Sequence, residues 1–329
     1  MIGNMHDRVE RIWWRKAPPP WWLRAIEPLY AGISAVHLRR RAANVVQPPL
    51  PLISVGNITA GGSGKTPFVL WLAAALKAKG RRPVILCRGD GGNAAEPLVV
   101  QADSSATEVG DEAKMLAEIS NCPVVAGHDR MAGSGMAEAL GDLIILDDGF
   151  QYRRLGRCCD IVLIPADGIG NGHQIPAGPL REPIDALASA DIIVRTGSRS
   201  EIADCKPLTG RNEQIWIRQP GRIIDTASGS ITTPDSVYAV TAIARPQRFF
   251  NDLKSIGVRL AGSRSFPDHH PFTNRDVEAL LRLDSNIAVT AKDAVKLAPL
   301  WPKDRPLWVL PLSAEAQPGL IETILQNLP

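Results

Sequence analysis

The run Thr59-Ala60-Gly61-Gly62-Ser63-Gly64-Lys65-Thr66 gathers small residues, a lysine and a hydroxyl into one short loop. Small residues let successive backbone N–H groups turn inward toward phosphate oxygens, and a helix N-terminus behind them adds partial positive charge. Lys65 would reach the β and γ phosphates, and the Thr66 hydroxyl would serve Mg2+. ATP or GTP is therefore the first ligand to consider, with residues 59–66 as its cradle. Thr59 departs from a full Walker A pattern, which begins with glycine. A glycine-rich turn holding a chance Gly-Lys-Thr is the alternative.

A second chemical run is Leu143-Ile144-Ile145-Leu146-Asp147-Asp148-Gly149-Phe150-Gln151. Four apolar residues ending in aspartate resemble a Walker B strand, whose carboxylate faces a metal at the sheet edge. Two adjacent carboxylates repel unless a cation sits between them or one is protonated, and Mg2+ would supply that cation. A solvated Asp-Gly turn is the alternative. Arg130 and Arg181 are candidates to stabilise phosphate charge, because guanidinium is a permanent forked donor. Either could be an ordinary surface ion pair.

The elements around these runs fit the chemistry. Pro51-Leu52-Ile53-Ser54-Val55 reads as a buried strand entering the loop, and residues 66–79 read as the helix leaving it. Pro67 falls near the first helical position, where its missing N–H costs little. Short β-rich runs at 84–86, 124–126, 143–146, 161–164 and 192–194 alternate with amphipathic or polar segments, the pattern of a parallel sheet covered on both faces. Residues 205–235 are polar and irregular. A second set follows, with strands at 237–242, 287–290 and 307–312 and helices near 246–256, 273–283 and 316–327. The fold expected is α/β: a P-loop core over residues 46–220, a smaller α/β lobe over 221–329, and an N-terminal segment, 1–45.

That N-terminal segment is distinctive. The chain has 329 residues and a formal charge of +3, yet residues 1–43 carry eight basic side chains against three acidic ones. Four of the eight tryptophans sit there, as Trp13-Trp14 and Trp21-Trp22 around Pro18-Pro19-Pro20. Trp22, Ile26, Leu29, Ile33 and Val36 then form a helical stripe that ends at Arg39-Arg40-Arg41. Aromatic rings favour a bilayer interface and arginines favour anionic headgroups, so the segment suits an interfacial membrane helix. A helix docked on the protein's own core is the alternative. Glu27, Pro28 and His37 disfavour a spanning helix, and no apolar core with a small-residue cleavage site marks a signal peptide. Five cysteines without paired spacing read as reduced thiols rather than disulfides or a zinc site. Nothing points to nucleic acid or to an obligate protein partner.

Taken with its flanks, the loop Gly56-Asn57-Ile58 through Thr66-Pro67 and the run Asp147-Asp148-Gly149-Phe150-Gln151-Tyr152-Arg153-Arg154-Leu155 resemble the tetraacyldisaccharide 4'-kinases, the lipid A 4'-kinases. Gly172-His173, the run from Pro176-Ala177-Gly178-Pro179 to Leu180-Arg181-Glu182-Pro183, Phe266-Pro267-Asp268-His269-His270-Pro271-Phe272 and Lys292-Asp293-Ala294-Val295-Lys296 continue the resemblance in order. Thr59 fits this family's loop. Cys87-Arg88-Gly89-Asp90-Gly91 departs from it, since Asp90 stands where an aromatic residue is expected.

The resemblance implies transfer of the γ-phosphate of ATP to the 4'-hydroxyl of a tetraacylated disaccharide 1-phosphate, a late step of lipid A assembly in Gram-negative bacteria. It implies Mg2+, an acylated glycolipid partner and the cytoplasmic face of the inner membrane. It assigns the base to Asp111, assisted by His269 or His270, and makes Glu182 a metal ligand beside Thr66, Asp147 and Asp148. From the residues alone, Asp111 could be a helix N-cap, the histidines a solvated turn, and Glu182 a charge in a Pro-rich loop. Lys292, Asp293 and Lys296 could contact a headgroup or be structural. A P-loop ATPase or GTPase switch or metallochaperone is the rival class, although no Asn-Lys-x-Asp base-reading signal occurs.

Overall fold

The computed structural model describes residues 9, 11–14, 17–61, 64–268 and 270–329. After α1 (Trp21–Ala42), the first lobe comprises β1 (Leu52–Asn57), α2 (Lys65–Ala78), β2 (Pro83–Cys87), β3 (Leu98–Val99), α3 (Ala106–Val109), α4 (Asp111–Ser120), β4 (Val124–Ala126), α5 (Arg130–Ala137), β5 (Leu143–Asp147), β6 (Cys159–Pro165), β7 (Ile192–Gly197), α6 (Arg199–Ala203) and β8 (Glu213–Pro220). The rest comprises β9 (Ile224–Asp225), β10 (Ser236–Thr241), α7 (Pro246–Ser255), β11 (Arg259–Ser265), α8 (Asn274–Leu281), β12 (Ile287–Thr290), α9 (Ala291–Leu297), β13 (Leu307–Leu310), β14 (Leu312–Ala316) and α10 (Leu320–Leu325).

A nine-stranded sheet in the order β14-β8-β7-β6-β1-β5-β2-β4-β3 forms the first lobe. Its strands from β8 to β4 pair in parallel, and β14 and β3 close the two edges antiparallel. Strands β1, β2, β5 and β6 are buried at every position, as a sheet covered on both faces requires. Ile53, Val55, Phe68, Leu72 and Ile145 pack on one face, and Leu52, Leu86, Ile144 and Leu146 on the other. β1 lies between β5 and β6, with Val55 opposite Asp147, so the loop after β1 opens beside the paired aspartates. Gly56 permits this: a Cβ there would lie 2.5 Å from the Cβ of Phe150.

The second sheet runs β11-β10-β12-β13-β9. Residues 307–312, expected as one strand, divide at Pro311, which has no N–H for a ladder. β13 belongs to the second sheet and β14 to the first. The C-terminal residues therefore return to the first lobe, where Leu320 and Ile324 of α10 join its core. The expected second lobe, reaching to residue 329, is shortened accordingly. β8 also crosses a stretch expected to be irregular, and the Gly221 N–H donates to the Pro311 carbonyl (2.8 Å) where both connections pass between lobes.

Helix α1 presents two faces. Glu27 accepts from the Gln174 N–H (2.7 Å) and faces His173 Nδ1 (2.9 Å), while Tyr30 and Ser34 donate to the Arg181 carbonyl. Its polar side thus docks on the 173–181 loop. The stripe Trp22, Ile26, Leu29, Ile33 and Val36 is exposed, the reverse of an ordinary surface helix. Among the described residues no helix is long and apolar enough to cross a membrane.

Candidate active site

Lys65 opens α2, behind Gly64 in a left-handed conformation (φ 81°) that glycine adopts freely. Its ammonium sits 3.0 Å from Asp148 Oδ1 and donates to Asn57 Oδ1 (3.1 Å). Arg181 grips the same carboxylate, Nη1 lying 3.0 Å from Oδ2 and 3.2 Å from Oδ1. Although burial opposes ionisation, the two cations hold Asp148 well below the usual carboxylate range. Its neighbour behaves oppositely. Asp147 is buried, accepts the Asp148 N–H (2.9 Å) and is pushed up to about 7, chiefly by burial and then by the charge of Glu112. Thus the pair divides into one ionised carboxyl and one about half protonated near neutrality.

The front of the phosphate loop is held by the protein's own hydrogen bonds. The Ala60 N–H donates to the Pro179 carbonyl (2.7 Å), and the buried Thr59 accepts from Asn57 Nδ2 at Oγ1 (3.3 Å) and at its carbonyl (2.7 Å). Thr59 and Ala60 therefore anchor the loop, rather than turning toward phosphate as expected. Thr59 also steadies Asn57, which orients Lys65. Gly61, Gly64, Lys65 and Thr66 line the cavity, while Gly62 and Ser63 lie outside the described residues.

Two other expected residues stand behind the site. Arg130 is buried, donates to the Asp148 carbonyl (3.0 Å) and lies over the Tyr152 ring at 5.1 Å. It supports the aspartate turn. Glu182, 2% exposed, has one oxygen 2.8 Å from Arg153 Nη2 and the other accepting from Gln151 Nε2 (3.0 Å). With both oxygens engaged, Glu182 holds Gln151 in place instead of standing open as a metal ligand. Gln151 in turn donates to the Asn57 carbonyl (2.8 Å) and accepts from Arg181 (3.4 Å). Asn57 and Gln151 were not singled out from sequence, although Asn57 stands two residues before the phosphate loop and Gln151 closes the aspartate run.

Asp111 begins α4 directly after Gly110, which occupies the cap position, so Asp111 is not an N-cap. It is 8% exposed, and its Oδ2 faces Lys296 Nζ of α9 at 3.3 Å. On the same helix pair Lys292 reaches Glu112 (3.0 Å), and it also meets Asp268 of the loop after β11 (3.7 Å). Lys292 and Lys296 thus bring the second lobe onto the first. Asp293 is structural: fully buried, it accepts from the Thr241 and Thr290 hydroxyls and the Ala242 N–H. His270 stacks on Phe266 (4.6 Å) and contacts Asp276 (3.2 Å), which departs from its expected pairing with Asp111. His269 lies outside the described residues. Asp90 pairs with Arg88 at the surface (3.2 Å).

A cavity of about 670 Å3 lies between the lobes; Glu112, Asp268 and Lys292 line it, whereas Asp111 and Lys296 stand behind its wall. Lys65, Thr66, Asp147, Asp148 and Arg181 line it together with the apolar Leu70, Trp71, Ile119 and Phe249. Among the described residues no three His, Cys, Asp or Glu side chains gather as a metal site.

A strand feeding a glycine loop, a lysine at a helix N-terminus and paired aspartates at the end of the neighbouring strand together define a P-loop nucleotide-dependent enzyme. The family model described as Tetraacyldisaccharide-1-P 4'-kinase matches residues 19–329, and the chain belongs to that family of kinases. Proteins named tetraacyldisaccharide 4'-kinase from Dechloromonas aromatica and Alkalilimnicola ehrlichii are each 38% identical to it. The alignments cover 97% of this chain and 97% of the first protein, and 96% and 95% for the second. A crystal structure of LpxK from Aquifex aeolicus in complex with ATP matches with a TM-score of 0.77 at 28% identity, over 93% of this chain and 98% of that one.

Proposed function

We propose that this kinase transfers the γ-phosphate of ATP to the 4'-hydroxyl of a tetraacyldisaccharide 1-phosphate at a membrane surface, in lipid A assembly. The observation that carries the reading is the cavity between lobes, lined both by the Lys65–Asp148–Arg181 cluster and by apolar side chains. Asp148 pairs with both cations. An entering triphosphate would compete for them, and Lys65 and Arg181 would then neutralise charge on the transferring group.

Thr66, Asp147 and Asp148 line the cavity as a hydroxyl-and-carboxylate donor set of the hard oxygen type that Mg2+ takes, and burial with the nearby charge of Glu112 raises Asp147, so a cation there would favour its ionised form. Bound there, Mg2+ would supply charge neutralisation to the phosphates. Asp111 is the proposed base. It would take the proton of the 4'-hydroxyl as that oxygen bonds to the γ-phosphorus, while the β–γ bridging oxygen departs with ADP. Lys296 supplies the countercharge that a buried carboxylate needs. Because Asp111 and Lys296 come from different lobes, lobe contact assembles the base and excludes water.

Helix α1 is the proposed membrane anchor, its apolar stripe toward lipid and its terminal arginines toward anionic headgroups. An acylated sugar is held in a bilayer with its headgroup at the surface, and ATP places the reaction on the cytoplasmic face. The test is phosphate transfer from labelled ATP to tetraacyldisaccharide 1-phosphate in detergent micelles. Wild type should label the glycolipid and Lys65→Ala should not; undiminished labelling by Lys65→Ala would remove the loop from the reaction.

A further inference from the structure

The C-terminal end of α1 does more than carry charge. Arg39 and Arg40 are exposed, but Arg41 turns inward: its Nη1 donates to the Gln151 carbonyl (3.3 Å), and its guanidinium lies over the Tyr152 ring at 5.6 Å. Arg130 lies over the same ring at 5.1 Å and holds the Asp148 carbonyl. Asp148 has a left-handed backbone (φ 49°), unusual for a residue with a side chain, so the turn that carries it depends on outside support. Gln151 contacts Asn57, Arg181 and Glu182. A single continuous set of contacts therefore runs from the exposed helix to the aspartate pair.

We propose that Arg41 is a positioning residue for phosphoryl transfer, and that seating α1 on an anionic phospholipid surface orders the 148–152 turn through it. This rests on the membrane reading of α1. A helix end free in water frays, whereas one held at a lipid surface keeps Arg41 over Tyr152 and on the Gln151 carbonyl. The stacked, forked geometry requires guanidinium, which lysine reproduces only in charge. Membrane attachment and turnover are thereby divided between adjacent arginines: Arg40 serves the surface, Arg41 the turn.

The test uses the full chain with substrate-free vesicles of equimolar phosphatidylglycerol and phosphatidylcholine. Flotation reports attachment, and hydrogen exchange of the Gly149 and Tyr152 amides reports the turn; these donate to the Val55 and Gly149 carbonyls. In wild type, vesicles should slow that exchange several-fold. Arg41→Ala should still float, show no slowing, and lose about tenfold in kcat with KM for ATP unchanged. Arg41→Lys should recover only part of the slowing, and Arg40→Ala should weaken flotation while leaving kcat in micelles intact. Equal slowing in wild type and Arg41→Ala would overturn the coupling, as would a wild type that floats without slowing. Failure of wild type to float would instead overturn the membrane reading on which the proposal stands.

Discussion

Replacing Leu29 and Ile33 together by serine tests which way α1 faces. The two side chains are 65% and 63% exposed. Full burial of such a side chain contributes about 2.5 kcal/mol, so sinking the exposed share into a bilayer interface gives about 1.6 kcal/mol for each. The pair together contributes about 3 kcal/mol, which corresponds to roughly a hundredfold in partition. Leu29→Ser with Ile33→Ser should therefore weaken binding to anionic vesicles by about two orders of magnitude, measured by sedimentation across a lipid titration. Because both side chains already face solvent, thermal unfolding should stay within about 0.5 kcal/mol of wild type. An unchanged partition would refute the reasoning. So would marked loss of stability, since it would mean that the stripe packs against protein.

Three further outcomes follow from the site. Asp147 is raised from 3.8 to about 7, so between those values the folded protein keeps a proton that the unfolded chain has lost, and stability falls as pH rises. In Mg2+-free buffer Asp147→Asn should abolish that slope and gain up to about 4 kcal/mol at pH 8 relative to pH 4; denaturation profiles parallel to wild type would contradict this. Glu182→Gln should lower kcat while leaving the Mg2+ concentration for half-activity unchanged, because Glu182 steadies Gln151; a large rise in the required Mg2+ would make Glu182 a metal ligand after all. A double-mutant cycle on Asp111→Asn and Lys296→Met should give a coupling of roughly 1–3 kcal/mol in denaturation, and additive effects would dissolve the cross-lobe pair.

The phosphate loop was legible because strand, loop, lysine and helix are contiguous, and each obeys a local rule. The paired aspartates were legible for the same reason. Their division into a clamped Asp148 and a buried Asp147 was not, because Arg181 comes from a loop that periodicity cannot place. Glu182 had no sequence signal for burial, since its partners Gln151 and Arg153 lie far earlier in the chain. The stripe on α1 was visible as a period, but which face met the protein depended on Glu27, Tyr30 and Ser34 finding the 173–181 loop. Residues 307–312 read as a single strand because hydrophobic pattern does not name the accepting sheet. β8 was missed because Glu213, Gln214 and Arg218 break its apolar pattern, and β11 because it is a largely exposed edge strand.

In the proposed reaction ATP is consumed only as phosphate passes to the 4'-hydroxyl of the glycolipid. The direct measurement is ADP release alongside 31P NMR of the product, with and without tetraacyldisaccharide 1-phosphate. The expected result is equal amounts of ADP and 1,4'-bisphosphorylated glycolipid, negligible ADP without acceptor, and loss of both in Asp111→Ala. ADP released at the same rate without glycolipid, or phosphate found at another hydroxyl, would contradict it.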